Sequence, residues 1–525
     1  MLERKGVSFP AAFYAAFCIM KVFRRLLNRI TFLILIIIFQ LLLIVYGLQW
    51  SYKQVPYLDL ILRILSVVLV LMIMKNSRHL SSDLLWILLI IIFPVQGTAI
   101  YLLIGSNLYL SPTMRSLNTS LARGTGYYRQ DPDVLKELMS ECPEDAGQFR
   151  YISNHCGFPF YRNTGYDYYS LGDDGFPVML EELRRAEKYI FIEYFIIEEG
   201  LMWNSILDIL KEKAAAGVEV RVIYDDFGSL ATLPYSYPRT LRKYGIKCLR
   251  FNQVNPILAV VLNHRDHRKI MVIDGRTAFT GGINLADNYI NVKRKYGHWK
   301  DNVIRIRGEA VWSFVVMFLT HWNAIVKEDD SFLPFKADIV PGEADGFIAP
   351  YGETPLDREI TSQNIYMGIV NQANDYCYIF TPYLIIDNEF INALVLAAKH
   401  GADIRIVTPG IPDKKLVYEV TRSYYRPLLE GGVRIFEYTP GFIHSKVFVS
   451  DDVIAAVGTI NLDYRSLYLH FENGTFLVNS KQVLAVKQDA VKTIAESREV
   501  HLSDCRVGLI RELFRAFLRI FAAQM

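Results

Sequence analysis

The chain has 525 residues, which is enough for two or three domains. Hydrophobic residues make up 52% of it and the mean hydropathy is +0.19, which is high for a soluble enzyme and indicates membrane segments. The net charge is only +3, so no strong overall field favours nucleic acid as a partner. The six cysteines form no C-x-x-C pair, which argues against a zinc ribbon or a disulfide framework.

The N-terminal part of the chain predicts a membrane anchor. Residues 1–29 are basic, with apolar residues at three- and four-residue steps, and predict an interfacial amphipathic helix or, alternatively, a disordered basic tail. Within residues 30–105 there are three apolar segments, at 31–48, 57–74 and 84–104. Each is long enough to cross a bilayer, so we expect about three transmembrane helices.

Basic residues predict the orientation of this anchor. Lys75, Arg78 and His79 mark the loop between the second and third segments as cytoplasmic. The chain beyond residue 105 is then expected on the outer side of the cytoplasmic membrane. Residues 106–160 are polar and predict a linker that becomes ordered toward its end.

Two similar halves follow, at 161–335 and 336–500. Tyr189-Ile-Phe191 resembles Tyr378-Ile-Phe380, and Gly217-Val-Glu-Val-Arg-Val222 resembles Gly401-Ala-Asp-Ile-Arg-Ile406. Each half alternates strands with helices, which predicts an α/β sandwich with a mixed or parallel sheet. The last segment, 501–525, has apolar residues at helical spacing and arginines four apart. It predicts an amphipathic helix that lies in the membrane interface or docks onto the protein.

One motif occurs in both halves. His267-x-Lys269-(x)4-Asp274 is followed by Asn284, and His444-x-Lys446-(x)4-Asp451 is followed by Asn461. The second copy lies 177 residues after the first at every one of these positions. A single His-x-Lys pair means little, but the whole pattern recurring in register indicates one site built twice.

The motif suits phosphate chemistry. His and Lys two apart on a strand point to the same side. A neutral imidazole can attack phosphorus while an ammonium holds a phosphate oxygen, and the amides of Asn284 and Asn461 add donors. These residue types do not form the carboxylate-rich cluster that Mg²⁺ prefers, so we predict neither a metal nor another cofactor.

The sequence resembles the phospholipase D superfamily, whose signature is this paired motif. Within it, four stretches resemble the bacterial cardiolipin synthases: Ile192–Ile197, Gly217–Asp226, Asn263–Lys269 and Gly458–Ser466. The resemblance covers residue 57 to the C-terminus. It implies two α/β halves that pack face to face with one active site between them, in which the motif residues are catalytic.

The resemblance also implies carboxylates that orient the histidines. In related enzymes a carboxylate downstream of each motif holds the second ring nitrogen, and Asp301 and Glu472 match those positions. Such an acceptor fixes the tautomer and stabilises the imidazolium. Asp274 and Asp451, although they belong to the motif, are expected to fix turns at strand ends.

The function implied is phosphatidyl transfer between two phosphatidylglycerol molecules, giving cardiolipin and glycerol through a phosphohistidine. His267 is expected to be the nucleophile and His444 the general acid and base. A phospholipase D-type hydrolase, a nuclease and another phosphatidyltransferase remain alternatives, and the modest charge weighs against the nuclease. The expected partners are membrane lipids and not nucleic acid; the sequence does not predict an oligomeric state.

Overall fold

The computed structural model describes residues 57–76, 80–105, 112–254, 263–339 and 344–524, with a few single positions between 35 and 47. The predicted interfacial helix at 1–29 and most of the predicted span at 31–48 lie outside the described residues. The described residues form two compact units: a small one that includes residues 57–75 and 86–105, and a large one that includes residues 80–85, 112–253, 263–339 and 344–524.

Apolar helices make up the described residues between 58 and 100. Helical residues run from Leu58 to Asn76, Leu80 to Ile92 and Pro94 to Ile100, followed by a π-helical turn at Tyr101–Gly105. Ile73, Ile87 and Ile90 are buried together. Pro94 interrupts the third apolar segment, because its ring prevents continuation of the helix. In the part of the chain that the structure describes, no helix is at once long and apolar enough to cross a membrane.

The predicted linker 106–160 is largely helical instead. Its helices are Pro112–Thr125, Pro132–Glu141 and Ala146–Arg150. Met114 and Leu117 are buried against the helix Val311–Val326, and the Asp131 side chain caps the start of the second helix. These helices are polar on one face only, so their overall polarity concealed an amphipathic pattern.

The first half contains nine strands, of which seven form one sheet. Its strands are β1 Thr164–Tyr169, β2 Tyr189–Tyr194, β3 Glu219–Asp225, β4 Lys247–Phe251, β5 Arg265–Asp266, β6 Lys269–Ile273, β7 Thr277–Gly281, β8 His298–Lys300 and β9 Val303–Gly308. The sheet has the order β1-β9-β7-β6-β2-β3-β4, parallel across β2-β3-β4 and antiparallel elsewhere. The helices are Gly172–Arg184, Leu201–Ala215, Tyr237–Arg242 and Val311–Val326.

The second half repeats this topology. Its strands are β10 Phe347–Glu353, β11 Tyr376–Phe380, β12 Asp403–Pro409, β13 Arg434–Tyr438, β14 Gly441–Ile443, β15 Val447–Ser450, β16 Ile454–Gly458, β17 His470–Val478 and β18 Ser497–Val500. The order is β10-β17-β16-β15-β11-β12-β13, with β18 added at the edge. The helices are Thr361–Gln372, Asn388–His400, Lys415–Ser423, Tyr425–Glu430, Tyr464–Tyr468, Lys481–Ala495 and, at the C-terminus, Leu509–Ile520.

The expectation of two pseudo-repeated α/β halves is therefore confirmed, and they share a core. Phe191, Ile270 and Val272 from the first sheet are buried in one cluster with Val447 and Val449 from the second. Two short strands also leave their own half: β5 pairs in parallel with the start of β17, and β8 pairs in parallel with β14. β5 directly precedes His267 and β14 directly precedes His444. Each motif thus enters the site beside a strand of the other half.

The register of the repeat differs from the sequence comparison by two residues. Ile190 lies opposite Ile273 and Cys377 lies opposite Ser450, so Tyr189 corresponds to Tyr376 and not to Tyr378. Shifting a strand by two residues keeps every side chain on its own face. The alternation of apolar residues was therefore unable to detect the error.

Candidate active site

His267 is held by a carboxylate from the other half of the chain. Its Nδ1 lies 2.8 Å from both carboxylate oxygens of Glu472, and its backbone N–H donates to the Phe471 carbonyl at 2.8 Å. Glu472 is fully buried and also accepts a hydrogen bond from the Thr459 hydroxyl at 2.5 Å. With Nδ1 directed at the carboxylate, Nε2 is the ring nitrogen left for a substrate.

His444 has the equivalent arrangement. Its Nδ1 lies 2.5 Å from Oδ2 of Asp301, and its backbone N–H donates to the Lys300 carbonyl at 2.7 Å. Asp301 and Glu472 are thus the two histidine-orienting groups, but each serves the motif of the opposite half. The pairing of β5 with β17 and of β8 with β14 places them there, since Asp301 directly follows β8 and Glu472 lies in β17.

The two histidine–carboxylate pairs differ in the residue that lies beside the carboxylate. Position 282 is glycine, and a Cβ there would lie only 1.8 Å from Oδ1 of Asp301. The equivalent position in the second half is Thr459, whose hydroxyl bonds to Glu472. The Asp301 carboxylate occupies the space in which a side chain at position 282 would lie. Glu472 instead accepts a hydrogen bond from the Thr459 side chain. The two histidine sites are therefore not chemically equivalent.

The pKa values of the two carboxylates also differ. Burial opposes the charge of Asp301, but His444 and Lys446 outweigh burial and hold its pKa below the usual range. Burial raises the pKa of Glu472 well above its usual range. Burial, helped by Lys446, lowers the pKa of His444 to about 4, and burial with Lys269 lowers that of His267 well below 6.5. Burial thus disfavours the imidazolium form of both histidines in the empty site.

Both motif lysines are buried and contact the backbone of the histidine in their own motif. Lys269 is fully buried and its ammonium donates to the His267 carbonyl at 2.6 Å. Lys446 is equally buried and its ammonium donates to the His444 carbonyl. Burial lowers the pKa of Lys269 to about 7 and that of Lys446 to about 8. The two ammonium groups supply positive charge at the floor of the site.

Asn284 and Asn461 lie in the site, but their amide groups are engaged. Asn284 accepts from the Ile196 backbone N–H at 3.0 Å and donates to the Tyr289 hydroxyl at 2.8 Å. Asn461 donates to the Ser466 hydroxyl at 3.0 Å. Contact with phosphate remains a prediction for both, and each amide nitrogen has a second N–H with which to make it.

Asp274 and Asp451 lie at the far ends of β6 and β15. The Asp274 carboxylate accepts from the backbone N–H groups of residues 187–189, and that of Asp451 from those of residues 374–376. Both aspartates adopt a left-handed backbone conformation with φ near 50°. They hold the turn after the motif strand against the start of β2 or β11, as expected of turn-fixing residues.

A cavity of about 580 Å³ contains both histidines. Aromatic side chains form much of its wall: Phe195, Phe227, Tyr289, Tyr296, Trp299 and Tyr383. Arg265, Arg465 and Lys414 contribute basic groups, opposed by Asp413 and Asp463. A mostly apolar wall with basic groups beside a histidine pair suits an amphiphile that carries a phosphodiester.

The sequence comparison missed His470. It lines the cavity with its ring centroid 5.8 Å from that of His267, and it has no counterpart in the first half. The available signal was its place two residues before Glu472, which puts both side chains on the same face of β17.

Two groups of side chains among the described residues have ligand atoms close enough to hold a metal ion. They are His267, His470 and Glu472, and, away from the cavity, Glu193, Asp266 and His321. In the first group Nδ1 of His267 already bonds to Glu472, which gives this nitrogen a role without a metal. Metal-free catalysis accordingly remains a prediction that needs an experiment.

We expect kcat/KM to fall as the pH rises through about 7 to 8, where Lys269 and Lys446 lose their protons. Both pKa values are lowered by burial, so the charged form that attracts phosphate is present below this range and lost above it. The pH profile of the wild type should be compared with that of Lys269→Arg and Lys446→Arg. Arginine stays charged at these pH values, so the basic limb should move upward. A basic limb that stays in place in both variants would contradict the assignment.

Comparison with known proteins places this geometry in a family. A family model described as cardiolipin synthase, PLD-like domain matches residues 179–311 and 366–493, and one described as phospholipase D-nuclease N-terminal matches residues 62–106. Cardiolipin synthase 2 of Bacillus anthracis is 34% identical over 82% of this chain and 84% of its own length. The chain belongs to the cardiolipin synthase family.

Other relatives of this family cover the chain similarly. The cardiolipin synthase of Halalkalibacterium halodurans is 31% identical over 91% of this chain and 96% of its own length. An uncharacterized protein of Streptococcus mutans is 43% identical over 82% of this chain and 94% of its own length. The crystal structure of phosphatidylserine synthase from Haemophilus influenzae superposes with a TM-score of 0.55 at 16% identity, covering 71% of this chain and 98% of that one. That likeness concerns the fold alone.

Proposed function

We propose that this protein is a cardiolipin synthase, a phosphatidyltransferase that joins two phosphatidylglycerol molecules and releases glycerol. The observation that carries the proposal is the pair of buried histidine–carboxylate couples at one cavity, in a chain whose relatives are cardiolipin synthases. Two such couples provide one nucleophile and one proton carrier, which is what a two-step transfer needs.

In the first step we assign His267 as the nucleophile. Its Nε2 forms a bond to phosphorus, and the bond from phosphorus to the glycerol headgroup oxygen breaks. His444 gives its proton to that oxygen and glycerol leaves. The negative phosphate raises the pKa of His444 on binding, which provides the protonated form that the empty site lacks. Lys269 and Lys446 offset the charge that develops on the phosphate oxygens.

In the second step the second phosphatidylglycerol displaces His267 from phosphorus. A glycerol hydroxyl of the second phosphatidylglycerol gives its proton to His444 and attacks phosphorus, and the nitrogen–phosphorus bond breaks. The ionised Asp301 supports this assignment, since a carboxylate stabilises the imidazolium form of His444 in each cycle. The Glu472 carboxylate accepts from Nδ1 of His267 and leaves the Nε2 lone pair available for attack, which supports the nucleophilic role.

The proposal is tested by product analysis. Purified protein incubated with phosphatidylglycerol in excess EDTA should form cardiolipin and glycerol in equal amounts, measured by mass spectrometry of the lipids and an assay of glycerol. The site offers His, Lys and Asn to phosphate, so EDTA should not reduce the rate. Phosphatidic acid as the main product would identify a hydrolase instead. Complete loss in EDTA, restored by one divalent ion, would exclude the metal-free mechanism.

We also propose a multi-pass anchor in the cytoplasmic membrane with the catalytic unit on the outer side. The match of residues 62–106 to an N-terminal family segment and the basic loop at residues 75–79 support it. Lys136 is exposed on a helix of the catalytic unit, so Lys136→Cys should react with an impermeant thiol reagent in intact cells. Cys18, Cys156 and Cys505 should first be replaced, because the other native cysteines are buried. Labelling only after lysis would place the unit in the cytoplasm.

A further inference from the structure

The C-terminal helix Leu509–Ile520 is docked through Arg515 and Leu518, the two of its residues that are buried. Arg515 is buried and its Nε donates to Glu419 at 2.8 Å, and Arg511 donates to the same carboxylate. The guanidinium of Arg519 lies 4.3 Å from the centre of the Tyr424 ring. An amphipathic helix on a soluble body normally packs its apolar face inward. Here Leu518 is the only large apolar residue of the helix that is buried, and the ion pair of Arg515 with Glu419 lies on the same side.

The outward face carries five large apolar side chains on three turns of helix. They are 43 to 86% exposed: Leu509, Ile510, Leu513, Phe514 and Phe517. No other helix of the large unit, within the described residues, exposes as many large apolar side chains. Their exposure to water is unfavourable and only a covering apolar phase or partner removes it.

This surface is linked to the active site by one short helix. In Lys415–Ser423, Glu419 receives the arginines of the C-terminal helix, while Val417 lines the cavity that contains both histidines. Leu416, on the same helix, is 56% exposed, and Ile411 beside it is 42% exposed. Exposed apolar residues therefore lie both on the C-terminal helix and on the helix packed against it that lines the cavity, where Lys414 supplies an exposed cation.

We propose that the C-terminal helix is an interfacial docking element that inserts its apolar face into an anionic phospholipid bilayer next to the cavity. The occupant follows from the proposed function, since the substrate is a lipid that must leave a bilayer to reach the histidines. Arg511, Arg519 and Lys414 are exposed although each also contacts the protein, and they supply cations for anionic headgroups. A helix of this kind buries its apolar face about 5–10 Å into the boundary between headgroups and acyl chains.

The first test places a fluorescent probe on the helix. Ile510→Cys, in full-length protein with Cys18, Cys156 and Cys505 replaced by serine, carries an environment-sensitive dye in phosphatidylglycerol proteoliposomes. Leu396→Cys is the matched control, because Leu396 is an exposed apolar residue on a different helix. We expect a blue shift and quenching by nitroxide-labelled lipid at position 510 and neither at 396. A probe at 510 that remains in water would overturn the proposal. So would a probe shielded from lipid nitroxides but cross-linked to residue 510 of a second copy.

The second test separates docking from chemistry. The triple change Ile510→Ser, Leu513→Ser and Phe517→Ser should lower transfer between phosphatidylglycerol molecules in vesicles roughly tenfold, because three buried apolar contacts are lost. It should leave transfer with a soluble short-chain phosphatidylglycerol unchanged. Leu396→Ser, Leu484→Ser and Val491→Ser remove three exposed apolar residues elsewhere and should change neither rate. Equal losses with both substrates would contradict docking. A wild type that makes no cardiolipin from either substrate would instead refute the proposed function, while the probe result stands.

Discussion

His267→Asn should abolish both the covalent intermediate and all turnover, whereas His444→Asn should retain the nucleophile and lose only the proton carrier. General acid–base groups typically contribute ~10²–10⁴-fold, so both steps should slow by that order in the His444 variant with phosphatidylglycerol. Asparagine keeps a polar side chain beside the buried carboxylate, so it is preferred to alanine at both positions.

A substrate with a good leaving group makes the two variants distinguishable. A p-nitrophenyl phosphodiester needs little protonation of its leaving group, so it should still load His267 when His444 is absent. The intermediate should then accumulate, because no base activates the acceptor. Acid-free quenching, digestion and mass spectrometry should locate the phosphoryl adduct on the peptide that contains His267. An adduct on His444 in the His267→Asn variant would invert the two roles, and its absence from both variants would exclude a two-step mechanism.

Asp301→Asn and Glu472→Gln should impair the histidine of the opposite half. Each carboxylate accepts from Nδ1 of a histidine 143 or 205 residues away in the sequence. Loss of the acceptor removes the control of the tautomer and the stabilisation of the imidazolium, and we expect a decrease in kcat of roughly 10²-fold or more. The two variants should be about equally inactive with phosphatidylglycerol.

The p-nitrophenyl substrate should separate them. Asp301→Asn should load the enzyme at nearly the wild-type rate, because His444 is not needed to protonate this leaving group. Glu472→Gln should load slowly, because it disturbs the nucleophile itself. Pairing within each half would give the reverse pattern. Glu353→Gln is a suitable control, since Glu353 is also buried but lies outside the cavity. Thermal unfolding of all three variants would show whether folding is intact.

The crossed pairing explains why two motifs so alike in sequence are both needed. A half on its own has a histidine without a carboxylate and a carboxylate without a histidine. The hydrogen bonds from the backbone N–H of His267 to Phe471 and of His444 to Lys300 fix each ring against the other half. The active site is therefore complete only when the two halves are packed together. Each copy of the motif needs the carboxylate that the other half supplies.

Parts of this protein are determined by local sequence. The alternation of strands with helices and the recurrence of His-x-Lys-(x)4-Asp at a constant offset were enough to predict two similar α/β halves. The resemblance to a known family implied the shared site and the participation of Asp301 and Glu472. Such motifs are short and their side chains follow the two-residue period of a strand, so the sequence specifies them directly. The turn-fixing positions of Asp274 and Asp451 were predictable for the same reason, because each acts within its own half.

Other features were decided only by tertiary structure. The partner of each histidine depends on β5 and β8 pairing with strands of the other half, and contacts between distant strands leave no trace in local periodicity. The helices between Pro112 and Arg150 were mistaken for a linker because their apolar residues are few, although those few are buried against Val311–Val326. The C-terminal segment was correctly predicted to be an amphipathic helix. Its spacing did not reveal which face meets the protein, because Glu419, which binds Arg511 and Arg515, lies about ninety residues earlier in the chain and only folding brings it there.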